Sequence, residues 1–201
     1  SADLLEALGV KIDLTGSEVE QTVHKIGIGF CFAPIFHSSM KYAVAARKEL
    51  GVPTVFNILG PLANPAKPIA AAIGVARAEL LPLMAQVLLD QGKEGFIFRG
   101  DDGLDEVSLS TTTTVIQISK GKLKQEVFNP SELGIAAAPI TALAGGDAKY
   151  NAQMTNQIFA GKSGPMRDAV TLNAAFAIAA FKADFDLPLQ TQIANGFVLA
   201  N

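Results

Sequence analysis

Two segments of this 201-residue chain carry side chains suited to chemistry on a small anionic molecule. The first is His37-Ser-Ser-Met-Lys-Tyr-Ala-Val-Ala-Ala-Arg47-Lys-Glu-Leu-Gly51, followed closely by Gly60-Pro61-Leu62-Ala63-Asn64-Pro65. His37, Met40, Val44 and Arg47 are spaced so that on a 3.6-residue helix they share one face, apolar in the middle and polar at both ends. A pocket for a flat carboxylic acid needs an apolar wall and a fixed cation, and a guanidinium grips a carboxylate through two parallel hydrogen bonds. An ordinary amphipathic helix with Arg47 along its surface satisfies the same spacing, and that alternative stands. Gly60-Pro61 reads as a backbone turn able to wall a small site. The second segment is the acidic loop Arg99-Gly-Asp-Asp-Gly-Leu-Asp105-Glu106-Val107-Ser108. It follows an expected strand, and ligands of α/β sheets gather outside the carboxyl ends of strands. Adjacent carboxylates there can hold Mg²⁺, which prefers oxygen ligands and binds through one or two carboxylates plus substrate phosphates. A solvated acidic turn is the competing reading.

Several other chemistries are excluded. Gly27-Ile28-Gly29 would need a third glycine at Phe32 to bind a dinucleotide, and Gly161-Lys162-Ser163 would need a glycine at Asn156 to form a P-loop. One cysteine with His24 and His37 makes no zinc constellation, and no Gly-x-Ser-x-Gly elbow occurs. With 49% hydrophobic and 17% charged residues and a net charge of -3, the chain is neither disordered nor built to bind nucleic acid. Cys31 reads as a buried small hydrophobe that cannot form an internal disulfide, which favours a reducing, cytoplasmic setting. The apolar runs are interrupted long before membrane-spanning length, so no membrane partner is expected. The start, Ser1-Ala-Asp-Leu-Leu-Glu-Ala-Leu-Gly9, lacks Met and begins inside a helical pattern, as a fragment would.

The elements that must position these residues follow from period and punctuation. Asp3 to Leu8 predicts a short helix ended by Gly9, and Val19 to Lys25 a second with Ser17 as its N-cap. Ile28 to Phe32 is a short apolar run, and Val55 to Leu59 is too short to classify. Proline and glycine from Gly60 to Pro68 mark a rigid connection or hinge. Ala70 to Val75 as a strand, Ala78 to Asp90 as a helix and Gly95 to Phe98 as a strand make a crossover unit with parallel pairing. Thr111 to Ile118 and Leu123 to Phe128 predict an antiparallel hairpin turning at Lys120-Gly121-Lys122 and joining that sheet. Helices are expected from Ala148 to Phe159 with Asp147 as cap, from Pro165 to about Lys182, and from Leu187 to Leu199. The fold class is α/β, a mixed, largely parallel sheet flanked by helices, with a remnant of a smaller helical domain. Residues 1–65 form the helical and hinge region and 66–201 the α/β lobe with its C-terminal helices.

Taken together, Phe32-Ala-Pro-x-Phe-His37, the segment to Arg47, Glu49-Leu-Gly-Val-Pro-Thr-Val-Phe-Asn-Ile-Leu-Gly-Pro-Leu-Ala-Asn-Pro65, Gly100-Asp-Asp-Gly-Leu-Asp-Glu106 and Gly164-Pro-Met-Arg-Asp-Ala-Val-Thr-Leu-Asn-Ala-Ala175 resemble the anthranilate phosphoribosyltransferase family. The motifs occur in the family's order and spacing and cover nearly the whole chain. The resemblance implies a small helical domain hinged to a larger α/β domain, usually in a homodimer. It implies transfer of phosphoribose from 5-phosphoribosyl 1-diphosphate to the amine of anthranilate, with release of pyrophosphate, in tryptophan synthesis. By position it assigns Arg47 to the anthranilate carboxylate, His37 and the Gly60-Pro61 turn to the same pocket, and Ser1 to the diphosphate substrate. Asp105 and Glu106 match the carboxylates that hold Mg²⁺ against pyrophosphate.

The family's Gly-Thr-Gly-Gly-Asp loop and Lys-His-Gly-Asn-Arg segment precede the point where this chain begins, and the family continues beyond Asn201. The resemblance therefore implies little or no transferase activity for the isolated chain. A pyrimidine nucleoside phosphorylase, similar in fold and also cleaving a ribosyl C1 bond, is the enzymatic rival. A non-catalytic lobe that keeps an aromatic-acid pocket is the other alternative.

Overall fold

Thr15-Gly-Ser-Glu18 can satisfy two orphan amides at the start of a helix, because a hydroxyl and a carboxylate three residues apart reach each other's backbone. The computed structural model describes residues 2–37, 42, 49–52 and 54–201, the side chains of Phe56 and Asn57 excepted. Its backbone divides into two units, Ser1–Lys67 with Gly145–Asn156, and Pro68–Ala144 with Gln157–Asn201.

In the first unit, α1 (Ala2–Ala7) is followed by α2 (Gly16–Ile26), α3 (Ala33–Phe36) and α4 (Phe56–Leu62). The N-cap of α2 is Thr15, where Ser17 was expected. The Thr15 hydroxyl accepts from the Glu18 amide at 3.4 Å, and the Glu18 carboxylate accepts from the Thr15 amide at 2.8 Å. The Thr15 amide and the Thr15 hydroxyl, both donating to the Glu18 carboxylate, hold that carboxyl below its usual range. Gly27, at φ 82, ends the helix in the left-handed conformation that favours glycine. The apolar run from Ile28 to Phe32 belongs to no strand and lies against α2. A Cβ on Gly29 would fall 2.8 Å from a Val19 methyl. The unclassified stretch at Val55 is the start of α4, opened by the Ile58 and Leu59 amides, which both donate to the Val55 carbonyl. After α4, Asn64 forms a local turn, its Oδ1 accepting from the Ala66 amide at 3.0 Å.

The second unit holds a four-stranded sheet in the order β1 (Ala70–Gly74), β2 (Glu94–Gly100), β3 (Thr113–Ser119), β4 (Lys122–Phe128). β1 and β2 pair in parallel, joined through the 3₁₀ turn Ala78–Leu80 and α5 (Leu81–Asp90). Pro82 suits the first turn of α5, which starts the α-helix later than the expected Ala78. The expected hairpin turns at Lys120 (φ 49) and Gly121 (φ 72), two left-handed residues that match the twist of a two-residue turn. The sheet is mixed, as expected. It is less parallel than expected, because the hairpin contributes two antiparallel pairings, β2 to β3 and β3 to β4, against one parallel pairing.

Period explains the two covered faces. Phe96 and Phe98 of β2 join the cluster built on α7 (Pro165–Lys182), while Ile97 between them points to the opposite face, where α5 packs. Helix α6 (Ala148–Phe159) precedes α7, and Asp147 caps it by accepting from the Tyr150 amide at 2.7 Å. In α7 the buried residues Leu172, Ala175, Phe176, Ala179 and Ala180 form one helical stripe. Phe176 is its centre, with ring centroids 5.6 Å from Phe96, 5.2 Å from Phe128 and 5.0 Å from Phe98. Helix α8 (Leu189–Ala200) packs closely on α7 through Gly196, where a Cβ would fall 2.4 Å from the Ala175 carbonyl oxygen.

Candidate functional site

Strand β1 ends at Gly74, paired with Phe98, its parallel neighbour β2 runs two residues further, and the acidic loop leaves from Gly100. This is the carboxyl end of a parallel pair, the usual place for a ligand in an α/β sheet. Four carboxylates crowd the loop, and the structure divides them into two pairs of different character. Asp102 Oδ2 accepts from the Ser108 hydroxyl at 2.7 Å and the Ser110 hydroxyl at 2.5 Å, and Oδ1 accepts from the Leu104 amide at 3.2 Å. Burial pushes the Asp102 carboxyl up, but the Ser110 and Ser108 hydroxyls and the Leu104 amide together hold it below the usual range. Asp101 accepts from the hydroxyls of Thr112 and Thr114, at 2.5 and 2.8 Å. These two aspartates knit the loop to the start of β3.

Asp105 and Glu106 do nothing of that kind. Among the described residues, neither carboxylate accepts a hydrogen bond or forms an ion pair. Burial pushes the Glu106 carboxyl above its usual range and the neighbouring Asp105 charge pushes it the same way, even though the residue as a whole is exposed.

The backbone that carries this pair is held on both sides. A Cβ on Gly74 would fall 1.8 Å from the Asp105 carbonyl oxygen, so only glycine lets the loop lie across the end of β1. A Cβ on Gly100 would fall 2.6 Å from Asp102 Oδ1 and 3.2 Å from the Glu106 carbonyl oxygen. Val107, immediately after the pair, is 0% exposed, and its amide donates to Asn173 Oδ1 on α7 at 3.0 Å. The Ser108 amide donates to the Thr113 hydroxyl at 3.0 Å, and the Ser108 hydroxyl accepts from the Ser110 and Thr111 amides. Two adjacent negative charges on a fixed backbone, with no protein partner among the described residues, suit a hard cation. Among the described residues no third histidine, cysteine or carboxylate joins them in a metal-sized group. The donor set therefore fits Mg²⁺ that keeps water and phosphate oxygens as its other ligands, and does not fit an all-protein cage.

The remaining expected site residues lie in the first unit. His37 is half-buried and closes α3, its amide donating to the Ala33 carbonyl at 2.8 Å. Arg47, Met40, Val44 and Ser1 lie outside the described residues, and so does the face expected from His37 to Arg47 apart from His37 itself. Gly60 and Pro61, expected as a turn, occupy the end of α4, and a Cβ on Gly60 would meet nothing within 4 Å among the described residues. Pro61 forfeits one helical hydrogen bond there, which a helix ending at Leu62 tolerates.

Sequence reasoning passed over Gly74, Ser110, Thr113 and Asn173 as parts of the site. A glycine ending a buried strand signals a close backbone approach, and an asparagine inside an alanine-rich helix signals a side chain with a task. Neither signal names its partner.

Known proteins share the sequence and the fold of this chain. The model of the glycosyl transferase family, a/b domain, matches residues 1–195. The anthranilate phosphoribosyltransferase of Rhodococcus jostii (strain RHA1) is 49% identical over 199 residues, which cover 99% of this chain and 55% of that protein. The enzyme of the same name from Acidothermus cellulolyticus is 50% identical over 195 residues, 97% of this chain and 54% of that one. Among solved structures, anthranilate phosphoribosyltransferase from Thermus thermophilus superposes with a TM-score of 0.88 at 38% identity, covering 99% of this chain and 57% of that chain. The Saccharomyces cerevisiae enzyme in complex with PRPP and Mg gives a TM-score of 0.88 at 30% identity, with 99% and 56% covered. The chain spans about half the length of the curated relatives it matches.

Proposed function

This chain belongs to the glycosyl transferase family with the α/β domain just described, and from that premise we propose that it forms part of an anthranilate phosphoribosyltransferase. The proposed reaction moves phosphoribose from 5-phosphoribosyl 1-diphosphate to the anthranilate amine and releases pyrophosphate. The observation that carries the reading is the division of the acidic loop: Asp101 and Asp102 are consumed in hydrogen bonds, while Asp105 and Glu106 are left without protein partners among the described residues at the strand ends. Two structures of the Saccharomyces cerevisiae relative, one in complex with PRPP and Mg and one in complex with 4-fluoroanthranilate, support the same ligands.

Asp105 and Glu106 would hold Mg²⁺, which when bound supplies positive charge against the developing charge of the departing pyrophosphate. Arg47 would fix the anthranilate carboxylate through a charge-assisted hydrogen bond worth roughly 1.5 to 3 kcal/mol. His37 and the backbone at Gly60 and Pro61 would line the same pocket. The aniline nitrogen is already a usable nucleophile, so the residues around it serve to orient it in line with ribose C1. No general base is required of the chain.

Calorimetric titration with 5-phosphoribosyl 1-diphosphate and Mg²⁺ tests the reading. Wild type is expected to bind, the Asp105→Asn, Glu106→Gln double variant to lose binding, and Asp101→Asn to retain it. Equal binding by wild type and the double variant, or none by wild type, would refute the assignment. A parallel titration with anthranilate compares wild type with Arg47→Ala, which is expected to lose the heat of binding.

A further inference from the structure

Asn173 stands well inside α7, next to Leu172 and the pair Ala174-Ala175, where an asparagine is a poor helix former because its side chain competes for backbone hydrogen bonds. Its carboxamide is committed at both ends. Nδ2 donates to the Ala169 carbonyl at 2.9 Å, and Oδ1 accepts from the Val107 amide at 3.0 Å. A carbonyl can only accept and a backbone N–H can only donate, so these two partners dictate which end of the amide faces which. Val107 is anchored as well by its side chain, 0% exposed in the cluster around Phe176. On the other side of the carboxylate pair, the Asp105 carbonyl abuts Gly74.

Resting on the cation reading of Asp105 and Glu106, we infer that Asn173 is a positioning residue for that pair. By holding the Val107 amide it presents both carboxylates to the cation and the phosphate-bearing donor from one fixed backbone. The requirement is physical. Two carboxylates grip one small ion only if their relative direction is set beforehand, and like charges left mobile would turn apart. Without the Asn173 oxygen the Val107 amide is a buried donor with no acceptor, and the loop must shift to let it reach water. Helix α7 thereby carries both the central ring of the buried cluster and the clamp on the reactive loop.

The test is amide hydrogen exchange on the whole chain beside Mn²⁺ binding by electron paramagnetic resonance in the presence of pyrophosphate, for wild type, Asn173→Ala and Asn173→Asp. In Asn173→Ala the Val107 amide is expected to exchange about tenfold faster, the equivalent of one lost hydrogen bond, while Phe96 and Ile116 amides keep their rates. Mn²⁺ affinity is expected to fall about 10- to 100-fold, as for other residues that orient metal ligands. Asn173→Asp keeps an acceptor for Val107 and is expected to restore slow exchange there. Unchanged exchange at Val107, acceleration of every core amide together, or unchanged Mn²⁺ affinity in Asn173→Ala would each overturn the positioning role. Wild type without Mn²⁺ affinity gives a different pattern, which overturns the cation reading and the positioning role with it.

Discussion

Asp102 and Glu106 lie in one loop, yet their carboxyls shift in opposite directions, downward where hydroxyls and an amide bond the charge and upward where burial and a like charge oppose it. The downward shift has a consequence for stability. Unfolded Asp102 titrates near 3.8 and the folded carboxyl below that, so its contribution is fully present above pH 3.8 and is lost as pH falls through the folded value. Asp102→Asn is therefore expected to lower the urea midpoint at neutral pH, with the deficit closing below pH 3.8; a deficit independent of pH would contradict this. Gly74→Ala should be more disruptive than its size suggests. The new methyl would need the space of the Asp105 carbonyl, a backbone atom that cannot swing aside. A stability loss of roughly 1 to 3 kcal/mol is expected from such overpacking, with weakened Mg²⁺-dependent binding of the diphosphate. The same substitution at Gly60, where a methyl meets open space among the described residues, is expected to leave stability nearly unchanged in the same urea titrations.

Among the elements, α7 and β2 carry most of the organisation. Their identity is legible in sequence: Pro165 opens the helix, Leu172, Ala175, Phe176, Ala179 and Ala180 repeat at helical spacing, and Phe96-Ile97-Phe98 suits a strand covered twice. What no spacing reveals is that Phe176 meets three phenylalanines from β2 and β4, two of them edge-on. Phe176→Ala is expected to cost roughly 3 to 5 kcal/mol through the cavity it leaves, read as a fall in denaturation midpoint. The start of α2 was legible too, since Thr15 and Glu18 have the spacing of reciprocal caps. Ser17 misled because any serine near a helix start looks like a cap. Thr15→Ala is expected to cost about 1 kcal/mol of stability, and Ser17→Ala much less.

At the scale of the molecule, the cluster around Phe176 lies wholly within the second unit. A chain beginning at Pro68 is expected to fold cooperatively with the circular-dichroism signature of a mixed α/β fold and to keep the Mn²⁺ and pyrophosphate response of the whole chain. It is expected to lose any response to anthranilate, because His37, Arg47, Gly60 and Pro61 precede it. Two-state unfolding of that fragment by two spectroscopic probes is the check; a molten, non-cooperative transition would contradict it.

The residues by themselves determined the order of elements from Ala70 onward, the hairpin, the α/β class and the acidic loop at a strand end. Each of these rests on short-range periodicity and on punctuation by glycine and proline. Only the tertiary structure decided which carboxylates are spent on the loop and which are left over. It likewise decided that Gly74 makes room for the Asp105 backbone and that Asn173 grips Val107. Those are contacts between residues far apart in the chain, and a hydrogen bond across that separation leaves no trace in local composition. Four acids in one short loop look alike until the fold brings hydroxyls to two of them and, among the described residues, none to the others.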